Sequence, residues 1–260
     1  MTNADTTDKS IKTAETVFDI LETIAEGDCT TVSSVAERLD YSKSTIHYYL
    51  KTLEKRRYIV KEEGQYRLGL RAAYLGSKAT DQYAPWAFIQ ERTDDLSREL
   101  DTAANVVVEE AGRAVVLHRS GTEAERLVQT HIGMEVGIHS TAFGKVILTF
   151  LPSDKRDEIL YSDCPEGTAG PPDEYDELLQ ELDKVRDVGL AYAEEGLAEG
   201  VSSIAAPIVR ESTGALFGAI GIWGRTEWLT DPTKHAKARR FANETTEEVE
   251  KVARIIGNRI

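Results

Sequence analysis

The sequence predicts an α+β chain in two parts, and three observations carry that prediction. Residues 31–68 hold two short helical runs, a tight break and a charged hairpin. From residue 104 the apolar pattern changes from helical to alternating. The charge also divides. Residues 1–80 carry 12 basic and 12 acidic side chains, whereas 81–260 carry 19 and 33, which puts the whole net charge of −14 in the second part.

Residues 1–9 are polar and are expected to be a flexible terminus; with no apolar run they do not read as a signal peptide. Ser10 to Ala25 reads as a helix with Ile11, Ala14, Val17, Phe18, Leu21 and Ile24 on its inner face, ended by Gly27-Asp28. Thr31 to Leu39 repeats Val32, Val35, Ala36 and Leu39 at helical spacing, and Asp40-Tyr41 breaks it. Ser42 then caps a second helix, SKSTIHYYLKTLEKR, whose Ile46, Tyr49, Leu50 and Leu53 face inward. That leaves Lys43, Ser44, Thr45, His47, Tyr48 and Lys51 on the other face. Tyr58 to Leu68 is two strand-like runs around Glu63-Gly64, a β-hairpin wing.

A pair of short helices whose second begins with small polar and basic side chains suits insertion into the major groove. Residues 10–70 are therefore expected to be a winged helix-turn-helix DNA-binding domain. Within 38–71 there are nine basic residues against four acidic, a local +5 that a phosphate backbone would attract. The expected DNA contacts are Ser42, Lys43, Ser44, Thr45, His47, Tyr48 and Lys51 on the recognition helix and Arg67 in the wing. Lys55, Arg56 and Arg57 add candidate phosphate contacts.

Residues 71–84 read as a linker helix, with Ala72, Leu75 and Ala79 on one side, and Pro85 marks a boundary. Trp86 to Leu100 is amphipathic. Residues 104–110 and 114–118 form a hairpin; 126–131, 190–194, 202–209 and 215–224 are strands; 142–151, 175–187 and 234–260 are helices. Residues 85–260 are thus expected to be one mixed sheet flanked by helices.

With 41% apolar residues the chain has material for a core. No run of 18 apolar residues exists, so no membrane span is expected, and the chain reads as cytoplasmic. Cys29 and Cys164 are isolated and read as reduced. Gly144-Lys145 lacks the glycine and the Ser/Thr of a phosphate loop. Adjacent strand residues point to opposite faces, so Glu194 and Glu195 do not read as a catalytic pair. His118, His131 and His139 lack metal-ligand spacing, and no nucleophile–base arrangement appears. No catalytic residue, metal or cofactor is expected. The surplus of carboxylates reads as an adaptation to high salt.

Five blocks, in order, resemble the IclR family of transcription regulators: SKSTIHYYLKTLEKRRYI, YRLGLRAAYLG, IGMEVGIHSTAFGKVIL, GLAYAEEGLAEGVSSIAAPI and LFGAIGIWG. The resemblance, together with an acidic composition of archaeal, halophile-like character, covers nearly the whole chain. It implies a GAF-like effector domain, homodimers or dimers of dimers on a palindromic operator, and a small-molecule effector that is often a carboxylic acid. Carried over, the family's ligand positions fall on Ala142 and Phe143 at a helix start, on Val128 and Val136, on Ala193 and Glu194, and on Ser203, Gly221 and Trp223. A helix N-terminus presents unpaired N–H groups to such an anion. The chain departs from the family in having Ala193 in place of a carboxylate, Trp223 in place of a small polar residue, and Tyr48 where a basic residue is common. Phe143 and Trp223 imply a narrow aromatic site able to stack a ring or a sugar-like face.

The sequence therefore reads as a repressor or activator controlled by a carboxylate or sugar-derived metabolite of a catabolic pathway. Two other readings differ in what they need. An enzyme with a DNA-binding appendage needs a nucleophile–base constellation, which is missing, and a winged helix used only for protein contact has no need of the +5 segment.

Overall fold

The computed structural model describes residues 11–28, 30–83, 85–121, 130–162, 175–226 and 250–260. Outside them lie the terminus 1–9, Cys29, Cys164, Val128, most of the strand expected at 126–131 and the first part of the helix expected at 234–260. The chain forms two compact units, 1–82 and 83–260.

The first unit is built on three helices and a hairpin: α1 (Lys12–Ala25), α2 (Val32–Arg38), α3 (Lys43–Lys55), β1 (Ile59–Glu62) and β2 (Gln65–Leu68). Thr31 and Ser34 cap α2 reciprocally, each side chain accepting the other's backbone N–H. Asp40 turns the chain at φ 54°, and Ser42 Oγ accepts the Thr45 N–H to start α3. Glu63 and Gly64, at φ 51° and 86°, give the hairpin the left-handed turn that matches strand twist. Ile20, Val35, Ile46, Leu50 and Ile59 are fully buried together.

The inner face of α1 differs from the expected one. Thr16, Ile20, Thr23 and Ile24 are buried, whereas Ile11 and Phe18 are 72% and 61% exposed. Thr16 can face the core because its hydroxyl bonds the Lys12 carbonyl and the Tyr41 hydroxyl, so a polar side chain takes a place that hydrophobicity alone would deny it. Helix α4 (Leu70–Thr80) follows and buries none of its residues; Leu70, Tyr74 and Leu75 are exposed.

The second unit is one six-stranded antiparallel sheet in the order β5-β4-β3-β8-β7-β6: β3 (Ala104–Glu110), β4 (Arg113–Ser120), β5 (Glu135–Val136), β6 (Ala191–Ala198), β7 (Val201–Val209) and β8 (Leu216–Arg225). Helices α6 (Ala142–Phe150), α7 (Ser153–Ser162) and α8 (Tyr175–Val188) contribute to the core on one face. On the other, α5 (Trp86–Leu100) and a last helical segment, 250–257, pack against Val106, Ile204, Ile220 and Ile222. Alternation along the strands supplies both faces: Val107, Ala205, Ala219 and Trp223 look toward α6, and their neighbours look away.

Neither α7 nor the two-residue β5 is evident from the sequence pattern. Helix α7 is polar along most of its length and buries Ile159 and Leu160. Lys155 on α7 reaches Glu109 at the β3–β4 turn (2.6 Å), where Glu109 also accepts the Gly112 N–H (2.8 Å). Burial pushes the Glu109 carboxyl up, but the Lys155 and Gly112 bonds and the Lys155 charge outweigh it and hold it below the ordinary carboxylate range. Its contribution to stability is present above the ordinary carboxylate pKa and is lost as pH falls through the lowered one. Strand β6 is also irregular: Glu195 sits at φ 54° and the register shifts between Ala193 and Ala198. Regular alternation stops there, so it does not separate Glu194 from Glu195; both are exposed.

Candidate nucleic-acid interface and ligand site

Two faces of α3 have separate tasks. Ile46, Leu50 and Leu53 hold it in the core of the first unit, and Tyr49 is half-buried beside them. Lys43, Ser44, His47, Tyr48 and Lys51 are exposed, and Thr45 is half-buried. The Ser42 hydroxyl is engaged in the cap, within 2.9 and 2.8 Å of the Ser44 and Thr45 hydroxyls, so it fixes the start of the helix. His47 and Tyr48 stand edge to face, and Tyr48 is 72% exposed.

The charge on this surface is uneven in its pairing. Arg38 bonds Glu26 and Lys78 bonds Asp81. Among the described residues no ion pair neutralises Lys43, Lys51, Lys55, Arg56 or Arg57, all exposed on or just after α3. A groove of about 1000 Å³ runs between the end of α3, the hairpin and the start of α4, with Lys55, Arg56, Arg57, Lys61, Arg67 and Arg71 in its lining. Such unneutralised cations attract polyanions over a Debye length.

Arg67 is the exception in the wing. Its Nε and Nη2 bond both oxygens of Glu62 (3.1 and 2.5 Å). The Arg67 hydrogen bonds and charge hold the Glu62 carboxyl below its ordinary range, and the same contacts raise Arg67. Glu62 thus stays ionised to a lower pH than an unpaired carboxylate. Contact between Arg67 and a phosphate requires exchange of one anion for another.

In the second unit the sheet gathers most of the expected ligand residues on the α6 face. Ala193 pairs with Ser203, and Ser203 with Trp223, across β6, β7 and β8. Phe143, in the first turn of α6, packs on Trp223 with ring centroids 5.0 Å apart and planes tilted by 32°. Val136, Ala142 and Phe143 are buried in the same cluster, and Gly221 lies one pleat from Trp223. Glu194 is not brought into this group; it is exposed beyond Ala193 on the irregular part of β6.

The helix N-terminus is less open than unpaired N–H groups would be. Ala142 N–H donates to Ser203 Oγ (3.0 Å) and Gly144 N–H to Thr141 Oγ1 (3.2 Å). Two donors of the first turn are thus satisfied by the chain itself, and Ser203 acts as a strut between β7 and α6. Asn105 and Arg119 escape sequence reasoning. Asn105 is fully buried on the same face, where it pairs with Gly221 on one side and Arg119 on the other. The β4 register shift beside Val106/Val107 hides which β4 residues look inward, and polar strand residues read as solvated by default. His118, one of the histidines of the sequence, is committed elsewhere: its Nε2 lies 3.3 Å from Asp94, and its ring meets Trp86 edge to face.

Known proteins match along most of the chain. Residues 85–256 match the family described as bacterial transcriptional regulator IclR C-terminal, and residues 13–63 match the IclR helix-turn-helix domain. A probable HTH-type transcriptional regulator from Halobacterium salinarum, ArcR, is 31% identical over 248 residues, 93% of this chain and 91% of that one. Among solved structures, the IclR of Thermotoga maritima superposes with a TM-score of 0.71 at 22% identity, over 96% of this chain and 100% of that one. An IclR homolog from Microbacterium hydrocarbonoxydans, complexed with 4-hydroxybenzoate, superposes with a TM-score of 0.65 at 18% identity, over 93% of this chain and 99% of that one. No helix among the described residues is long and apolar enough to cross a membrane.

Proposed function

This chain belongs to the IclR family of transcriptional regulators, and from that premise we propose that it is a sequence-specific operator-binding protein whose affinity for DNA is set by a small metabolite held in its second unit. It is a regulator and not an enzyme. The observation that carries the DNA half is the exposed, unneutralised Lys43–Lys51 face of a helix whose opposite face is locked into a core. In this reading α3 enters the major groove. Lys43, Ser44, Thr45, His47 and Tyr48 meet base edges or sugar-phosphate, Ser42 orients the helix, and Lys51, Lys55, Arg56, Arg57 and Arg67 hold phosphates. The exposed Ile11 just before α1, Phe18 on α1, and Leu70, Tyr74 and Leu75 on α4 offer apolar area that a second copy would cover, which supports dimers on a two-fold operator.

The metabolite half rests on the buried α6 face. Val136, Ala142, Phe143, Ala193, Ser203, Gly221 and Trp223 form its wall, and Val128 is assigned to it by resemblance alone. The aromatic pair suits a carboxylate with a ring or a sugar-like face. The 4-hydroxybenzoate complex of the Microbacterium homolog shows one such acid on this fold. Mapping the DNA bound by the tagged protein in its own host tests the proposal. A few sharp sites sharing a two-fold symmetric sequence beside catabolic genes are expected. Binding spread evenly over the genome contradicts sequence reading by α3.

A further inference from the structure

Three buried polar atoms on the α6 face have no partner among the described residues, and all three lie in one small region. Asn105 is fully buried; its amide nitrogen bonds Thr130 Oγ1 at 2.8 Å and its Oδ1 bonds nothing. Trp223 is 2% exposed, and its indole Nε1 bonds nothing. The Nε of Arg119 is buried and unpartnered as well. The register places them together. Arg119 is directly opposite Asn105 on β4, Asn105 is directly opposite Gly221 on β8, and Trp223 is the next residue of β8 on that same face. Arg119 is thus a direct and Trp223 a diagonal neighbour of Asn105, with Cα atoms within about 5 and 8 Å of its own, and Asn105 lies between the other two.

Unpartnered polar atoms in a core are costly, and a chain that leaves three side by side presents complementary groups to something. Two of the three, Arg119 Nε–H and Trp223 Nε1–H, only donate. The third, on Asn105, accepts. If the Asn105 amide is turned over, its nitrogen faces inward and donates, with Thr130 then donating to the oxygen. A hydroxyl satisfies either orientation, because it both donates and accepts.

We propose that Asn105, Arg119 and Trp223 form a specificity subsite for a hydroxylated carboxylic acid, the carboxylate meeting the Arg119 and Trp223 donors and the hydroxyl meeting the Asn105 amide. This rests on the reading that a small acid binds over the α6 face, and adds which acid and which residues select it. Phe143, against Trp223, orients the indole and so the direction of its N–H. None of these three contacts uses the α6 N-terminus, two of whose N–H groups are already taken.

The test is calorimetric binding to the full chain of two matched pairs, glycerate against propionate and 4-hydroxybenzoate against benzoate. At least one hydroxylated acid is expected to bind about tenfold or more tightly than its partner, because a site built for a hydroxyl is left unsatisfied without one. Asn105→Leu, close in size, is expected to erase that preference while keeping binding of the plain acid. Trp223→Phe, which keeps the ring and removes the N–H, is expected to weaken both acids about fivefold or more and leave the hydroxyl preference intact. If Asn105→Leu does not fold, Asn105→Ala, which also removes the amide, provides the same comparison. Acids that bind without hydroxyl preference, or whose preference survives at Asn105→Leu, overturn the subsite and leave the parent reading standing. Failure of every acid to bind overturns both.

Discussion

Replacing Lys43 and His47 together with alanine is expected to weaken operator binding by roughly 100-fold or more while leaving the protein folded, since removing one base or phosphate interaction from an interface of this kind costs about 1–3 kcal/mol. Both side chains are exposed on the face of α3 opposite Ile46, Leu50 and Leu53, so the double substitution removes nothing from the core. Neither residue contributes to the Ser42 cap, which engages Thr45, so the helix start is preserved as well. Fluorescence anisotropy on an operator selected from a randomised duplex library gives the affinity, and circular dichroism gives the fold. The salt dependence adds a further check. Removing the one Lys43 phosphate interaction flattens the slope of log affinity against log salt by about 0.9, whereas removing a base interaction leaves it alone. Unchanged affinity in a folded variant would remove α3 from the interface.

Gly144→Ala is expected to be strongly damaging in the second unit. In a solvated helix the same change stabilises by about 1 kcal/mol. At Gly144 the added Cβ would meet the carbonyl oxygen of Ile138 at 2.0 Å and the Ile138 carbonyl carbon and Cα at 2.4 Å. These are backbone atoms, so no side chain can swing aside. Helix α6 would have to lift from the 137–141 turn, disturbing the Ala142–Ser203 bond and the Phe143–Trp223 contact. Steric cost therefore exceeds the propensity gain, with an expected net destabilisation of about 3 kcal/mol or more. Thermal denaturation followed by circular dichroism measures it, and binding of the acid panel should fail in parallel. An unchanged melting temperature would show that α6 is not packed as tightly as described.

The parts legible in the sequence are those where one residue type has one physical reason to be where it is. Ser42 marks the start of α3, Gly189 (φ 78°) follows α8, and Glu63-Gly64 makes the wing turn; each can be placed from the sequence to within a residue or two. The α1 face departs from its apolar pattern because Thr16 and Thr23 are buried, and the Thr16 hydroxyl is satisfied there, a possibility that apolar counting does not weigh. Helix α7 leaves little trace because it is polar with few buried residues, and β5 because two residues carry no period. In the proposed ligand site the apolar wall is readable from Phe143, Ala193 and Trp223. The polar part is not: Arg119 belongs to the inner face only through a β4 register that includes a bulge, and Asn105, though in step with Val107, reads as solvated because it is polar. Resemblance places Glu194 inside, and it lies outside because β6 bends at Glu195.

The proposed regulation requires that what occupies the α6 face governs what α3 holds. The most direct test is the operator affinity of the full chain, measured by anisotropy with and without a saturating concentration of whichever acid the calorimetry identifies. A change of about 5- to 150-fold in either direction is predicted, the range of ordinary coupling between sites, and Asn105→Leu is predicted to abolish the difference between hydroxylated and plain acids. An acid that binds the second unit and leaves operator affinity unaltered would contradict that coupling.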